Sequence, residues 1–153
     1  MEIDVNSKTH EIWNIHFIEQ IIDTMADGVF TLDNSGRVTS WNLSMERISG
    51  YTAEDALGRP ITEFVPEEER QDLLQRLQAA REGSIRPHST RPLLTKDGNQ
   101  RHISWFHVIE RGSGDQIRCI LSIGEDVTEL KRAQRELADE KANMDVILAS
   151  LNT

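Results

Sequence analysis

The chain has 153 residues, of which 37% are hydrophobic and 28% charged, the composition of one ordinary folded domain with some length left over. It is neither disordered nor collagen-like in character, and it is long enough to bury a core without a disulfide or metal staple. A formal net charge of -9 argues against a nucleic-acid-binding or anionic-membrane surface, since both need clustered Lys and Arg.

In chain order, residues 1–10 are polar and are expected to be loose. From Glu11 to Ala26 the apolar residues Ile12, Ile15, Ile18, Ile22 and Met25 recur in steps of three and four, which predicts a helix with one apolar face. The domain proper is expected over residues 27–126. Gly28–Asp33 and Arg37–Trp41 flank Asn34-Ser35-Gly36 and predict a hairpin. Asn42 is placed to cap a short helix ending at Gly50, and Thr52 to cap a second. Pro66 followed by Glu67, Glu68 and Glu69 predicts a helix to Glu82, with Leu73, Leu74 and Leu77 turned inward and Gly83 as its stop. Three strands follow, over Ser84–Thr95, Arg101–Glu110 and Gln116–Gly124, joined by Asp-Gly and Gly-Asp turns. This order predicts an α+β domain with helices on one face of an antiparallel sheet.

Residues 127–153 predict a long helix, with Asp126 and Glu129 spaced as a capping box. Leu130, Leu137, Met144 and Leu151 recur every seven residues, the repeat of a two-stranded coiled coil. Lys141 and Gln134 weaken the seam, and the competing reading packs the helix back on its own domain. The segment Ile18–Met25 also matches Met144–Leu151 in its apolar spacing. That match fits a tandem array, with a second domain of the same kind to follow, and equally fits any pair of amphipathic helices.

The single cysteine, Cys119, leaves no intramolecular disulfide and no multi-thiolate zinc site, which fits a reduced, cytoplasmic setting. No stretch reaches the about 20 apolar residues that cross a bilayer, and the acidic start is unlike a signal peptide.

Several segments, each weak singly, are specific in their order. They are Gly28–Val38, Trp41-Asn42 with Glu46–Tyr51, Ala53–Pro60, Lys96-Asp97-Gly98, and Ile123-Gly124-Glu125-Asp126-Val127-Thr128-Glu129-Leu130-Lys131. Together they resemble the PAS sensor family from about Phe17 to Leu137, the last of them its Asp-Ile-Thr-Glu-Arg-Lys ending. The resemblance implies a five-stranded antiparallel sheet, a helical flank over its concave face, and a small cavity between the two. It also implies a signalling role in which the exit helix drives a kinase, cyclase or transcription activator elsewhere in a parent chain.

The cofactors of related branches find little support. The flavin-photosensor branch carries an Asn-Cys-Arg-Phe-Leu motif near what is here Gly58–Ile61, where there is no cysteine, so covalent flavin is not expected. The haem branch uses a histidine on the helix Glu67–Glu82, which has none. His107 shares strand parity with Ile103 and Trp105 and could meet haem or a small ligand, but a hydrogen-bonded wall histidine, or one beyond the sheet edge at the surface, is the preferred reading. Non-covalent flavin between Trp41 and Trp105 stays open beside a plain core role for both.

Parity and the resemblance give as candidate cavity wall Phe30, Leu32, Met45, Ile48, Phe64, Leu77, Leu93, Trp105, His107, Ile120 and Ser122. The same residues could form a filled core. Asp126, Val127 and Thr128 are the candidate transmission residues. Ile12, Ile15, Ile18 and Ile22, with Leu130, Leu137, Met144 and Leu151, are the candidate dimer interface. No phosphate loop, nucleophile elbow or His-x-x-x-His spacing is present, and Glu67–Glu69 is explained by the helix dipole, so the chain is not expected to be an enzyme. The expected partners are a second copy, an output domain and a small molecule, without nucleic acid or direct membrane contact. The alternative function is a ligand-free dimerisation and interaction module.

Overall fold

The structure, a computed structural model, describes the backbone of residues 5–152 and side chains from Asn14 to Asn152. A leading helix α1 (Val5–Thr24) enters a hairpin of β1 (Gly28–Leu32) and β2 (Val38–Trp41). Short helices α2 (Leu43–Ser49) and α3 (Ala53–Ala56) follow, then a 3-10 turn over Ile61–Phe64 and helix α4 (Glu67–Arg81). Strands β3 (His88–Leu94), β4 (Gln100–Arg111) and β5 (Ile117–Asp126) complete the sheet, and α5 (Thr128–Leu151) leaves it. The five strands lie in the order β2-β1-β5-β4-β3, all neighbours antiparallel. The expected α+β arrangement is therefore present.

Local chemistry sets the element ends. The Asn42 side-chain oxygen accepts from the backbone N–H of Met45 at 2.9 Å and of Val29 at 2.9 Å, so one buried amide both caps α2 and holds β1. Its Nδ2 donates to the carbonyls of Ile22 and Asp27, which fastens the end of α1 to the same point. Thr52 caps α3 by accepting from Asp55 N–H at 3.1 Å. In the β1–β2 turn Asp33 accepts from the N–H groups of Ser35 and Arg37, and Gly36 takes the left-handed φ of 82° that closes it. Pro92 lies on β3, an edge strand, where a missing N–H costs no ladder bond on the open side.

The core fills the space between one face of the sheet and the helical flank. Phe30, Trp41, Phe64, Trp105 and Tyr51 form a chain of rings with successive centroids 4.9–5.8 Å apart. Such contacts are worth about 0.5–1.5 kcal/mol each beyond the area they bury. Around them Leu32, Val38, Met45, Ile61, Leu77, Leu93, Ile103 and Ile120 are buried.

Three expectations need correction. The helix reaches back to Val5, so helical backbone replaces part of the loose segment expected through residue 10; no Gly or Pro interrupts residues 5–11 to stop it. Leu74 is 56% exposed, because the inward face of α4 follows Glu69, Leu73, Arg76, Leu77 and Ala80. The capping box is not reciprocal: Asp126 accepts from Thr128, two residues on, while Glu129 turns to Arg101 and Arg132. An Asx turn serves because β5 runs on through Asp126 itself. Among the described residues no helix is long and apolar enough to cross a membrane.

Candidate functional site

A cavity of about 70 Å³ lies between α4, β3 and β4, with room for several water-sized groups. Its apolar wall is Phe30, Ile61, Val65, Leu73, Pro92, Leu93 and Trp105. Its polar wall is Glu69 and Arg76 from α4, Ser89 and Arg91 from β3, and His107 from β4. Glu69, Leu73 and Arg76 are spaced four and three apart on one helix face, and Ser89, Arg91 and Leu93 alternate on one strand face.

His107 pairs across the sheet with Ser122 of β5, and its Nδ1 lies 2.8 Å from the Ser122 hydroxyl. Its Nε2 is 3.4 Å from the Ser89 hydroxyl, and its ring stacks on Trp105. Burial, reinforced by Arg76, Arg91 and His88, pushes its pKa down to about 4, so the imidazole is neutral at pH 7. Arg91 donates to Glu69 at 3.0 Å and also contacts Asp72, whereas Arg76 comes no nearer to Asp72 than 3.6 Å.

Of the expected wall residues, Phe30, Leu93, Trp105 and His107 line this cavity. Ser122 stands behind His107 as its hydrogen-bond partner. Leu32, Met45, Phe64, Leu77 and Ile120 belong to the packed core beside it, where the aromatic chain leaves no space. Ile48 packs against that core and faces the cleft between the end of α2 and the start of α5. The cavity thus lies nearer α4 and β3 than expected. Glu69, Arg76, Ser89 and Arg91 are not among the expected wall residues; Glu69 and Arg76 share a helix face with Leu73, and Ser89 and Arg91 share a strand face with Leu93. Cys119 lies on β5 opposite Glu110, and burial, then that carboxylate, pushes its thiol pKa up. Among the described residues no three His, Cys, Asp or Glu side chains cluster as metal ligands.

A second group of contacts joins the sheet to α5. Asp126 accepts from Thr128 N–H at 3.0 Å and from Arg101 Nε at 2.8 Å. Burial opposes its ionisation, but the bonds from Thr128 and Arg101 outweigh it and hold the carboxyl below its usual range. The Thr128 hydroxyl accepts from His102 N–H at 2.9 Å, and Val127 N–H donates to the His102 carbonyl. Arg101 and His102 belong to β4, the strand that carries Trp105 and His107 into the cavity.

Beyond Thr128 the exit helix is exposed from Glu129 to Leu151, including Leu130, Leu137, Met144 and Leu151. Ile15 and Ile18 of α1 are also exposed, Ile22 is half-buried, and the side chain of Ile12 falls outside the described residues.

The family model of the PAS fold matches residues 16–127. The chain is 33% identical over 122 residues to the nitrogen regulation protein NtrY of Azorhizobium caulinodans, covering 80% of this chain and 15% of that protein. It is 27% identical over 118 residues to the sensor histidine kinase TmoS of Ectopseudomonas mendocina, covering 76% of this chain and 12% of that one. The crystal structure of a PAS domain from Colwellia psychrerythraea superposes with a TM-score of 0.68 at 23% identity, over 75% of this chain and 98% of that one. The chain therefore spans a small part of the curated relatives and nearly the whole of the solved domain, and it belongs to the PAS family.

Proposed function

We propose that the chain is the sensor module of a longer signal-transduction protein, itself without catalytic activity and working in the cytoplasm. It binds a small molecule in the cavity beside His107, and α5 carries the response to an output domain such as a histidine kinase. The observation that carries this reading is the course of β4. One uninterrupted strand places Trp105 and His107 in the cavity wall and Arg101 and His102 against the start of α5. A ligand that changes packing at one end of β4 biases the helix junction at the other, provided two arrangements of the junction lie close in free energy. The sensor kinase among the relatives supports the choice of output class.

The working unit is a homodimer. Its seam runs along Leu130, Leu137, Met144 and Leu151, with Ile15 and Ile18 of α1 extending it. The same apolar rows favour the second reading, a dimerisation module whose cavity stays empty. Comparing the native mass of the purified chain with its denatured mass separates the two. Excess mass on the dimer that departs on denaturation is the outcome expected of the sensor. A dimer of bare chains supports the interaction module.

A further inference from the structure

The polar side of the cavity is unevenly matched. Arg91 takes both carboxylates of α4 that face it, Glu69 and Asp72. Arg76 is left with a 3.6 Å approach to Asp72, and among the described residues its guanidinium makes no hydrogen bond. Its side chain is only 28% exposed and borders a largely apolar cavity. Burial, then the neighbouring Arg91, lowers its pKa, and Arg86 adds a third positive charge to the two carboxylates present. Arg76 is thus paired only through a long contact to a carboxylate that Arg91 already holds.

The imidazole points to the same chemistry. The Ser122 hydroxyl is buried, and among the described residues its hydrogen-bond partner is His107 Nδ1. The hydroxyl proton is satisfied when Ser122 donates to Nδ1, and that tautomer leaves Nε2 protonated on the cavity side with Ser89. The two groups at this end held by the longest contacts, Arg76 at 3.6 Å and the Nε2–H of His107 at 3.4 Å, are therefore donors. The opposite wall is made of Phe30, Leu73, Leu93 and Trp105.

We propose that the cavity takes a compact organic acid, its carboxylate received by Arg76 and the Nε2–H of His107, its apolar body against Phe30, Leu73 and Trp105. This rests on the cavity being a ligand site. The charged and titratable groups around His107 are Arg76 and Glu69 from α4, and Arg91 and His88 from β3. The strand on its other side, β5, contributes the uncharged Ser122. The size of the cavity suits a single ring or a short branched chain.

The experiment is calorimetric titration of the 153-residue chain with benzoate, phenylacetate and isovalerate, each against its primary amide. The acids are expected to bind at least tenfold more tightly than their amides, because only an anion answers the spare guanidinium. Arg76→Met should bring the ratio to within about threefold, and Arg76→Lys should keep most of it. The unliganded Arg76→Met protein should also melt no lower than the parent, since it sheds an under-compensated cation; a purely structural ion pair with Asp72 would make it melt lower. Amides that bind as well as acids, or an acid preference that survives in Arg76→Met, would overturn the assignment while leaving the cavity a ligand site. No binding by any of the compounds would overturn this assignment, whereas the ligand-sensing reading itself falls only if the native-mass comparison finds bare chains.

Discussion

His107 shows how a single half-buried base ties stability to pH. In the unfolded chain it takes a proton near pH 6.5, whereas in the fold its pKa is about 4. Between those values the unfolded state holds more protons, so stability rises with pH. The contribution is complete above pH 6.5 and falls away as pH drops toward 4, by about 3 kcal/mol in all. Urea midpoints measured across that window should show the slope, and His107→Gln should flatten it. At Gly124 the constraint is steric. An added Cβ would run into the Trp105 ring and the Ile103 methyl group, both buried. Gly124→Ala should cost about 2–3 kcal/mol by overpacking. Gly112→Ala, where the nearest side-chain atom is 3.9 Å away, should change stability by less than about 1 kcal/mol on the same denaturation curve.

Whole elements were more legible in the sequence than the cavity wall was. Strand alternation, the Asn42 and Thr52 caps and the Gly50 stop all act within a few residues, and each stands where the pattern puts it. The cavity depends on long-range pairing. Ser89 and Arg91 reach it only because β3 pairs with β4, and the chain alone does not say which of two alternating faces is inward when both carry polar residues. The capping box failed for a related reason: β5 continues through Asp126, so the carboxylate serves an Asx turn and an arginine clamp at once. Asp126→Ala should destabilise the fold by about 1–2 kcal/mol and speed amide exchange in the first turn of α5 while β4 stays protected. Normal exchange at Thr128 and Glu129 in that variant would remove the junction from the account. Further along α5, Leu137→Lys with Met144→Lys should leave the melting of the monomer unchanged to within about 0.5 kcal/mol, since both side chains are exposed. The pair should abolish self-association in sedimentation, and a dimer of undiminished strength would place the interface elsewhere.

At the scale of the whole molecule, charge and apolar surface act in opposition. Each chain carries a net charge of -9, while Leu130, Leu137, Met144, Val146, Ile147, Leu148 and Leu151 are exposed on one helix. In the proposed dimer two copies attract through the apolar row and repel through their net charge, and salt screens the second effect. Association measured by sedimentation should therefore strengthen from about 0.01 M to 0.15 M ionic strength, as the Debye length shrinks from roughly 30 to 8 Å. Association that weakens with salt would instead indicate an interface of cross-chain ion pairs. The attachment of α5 has one more implication, for grafting. The bonds that aim the helix, made by Asp126, Thr128, Arg101 and His102, lie at its first turn, and every residue from Glu129 to Asn152 is exposed. On the proposed signalling role, the remainder of the helix is a shaft that should tolerate being cut and rejoined to foreign output modules. What the joint must conserve is phase: adding seven residues returns the apolar row to within about 20° of its bearing, whereas adding a single residue turns it by about 100°.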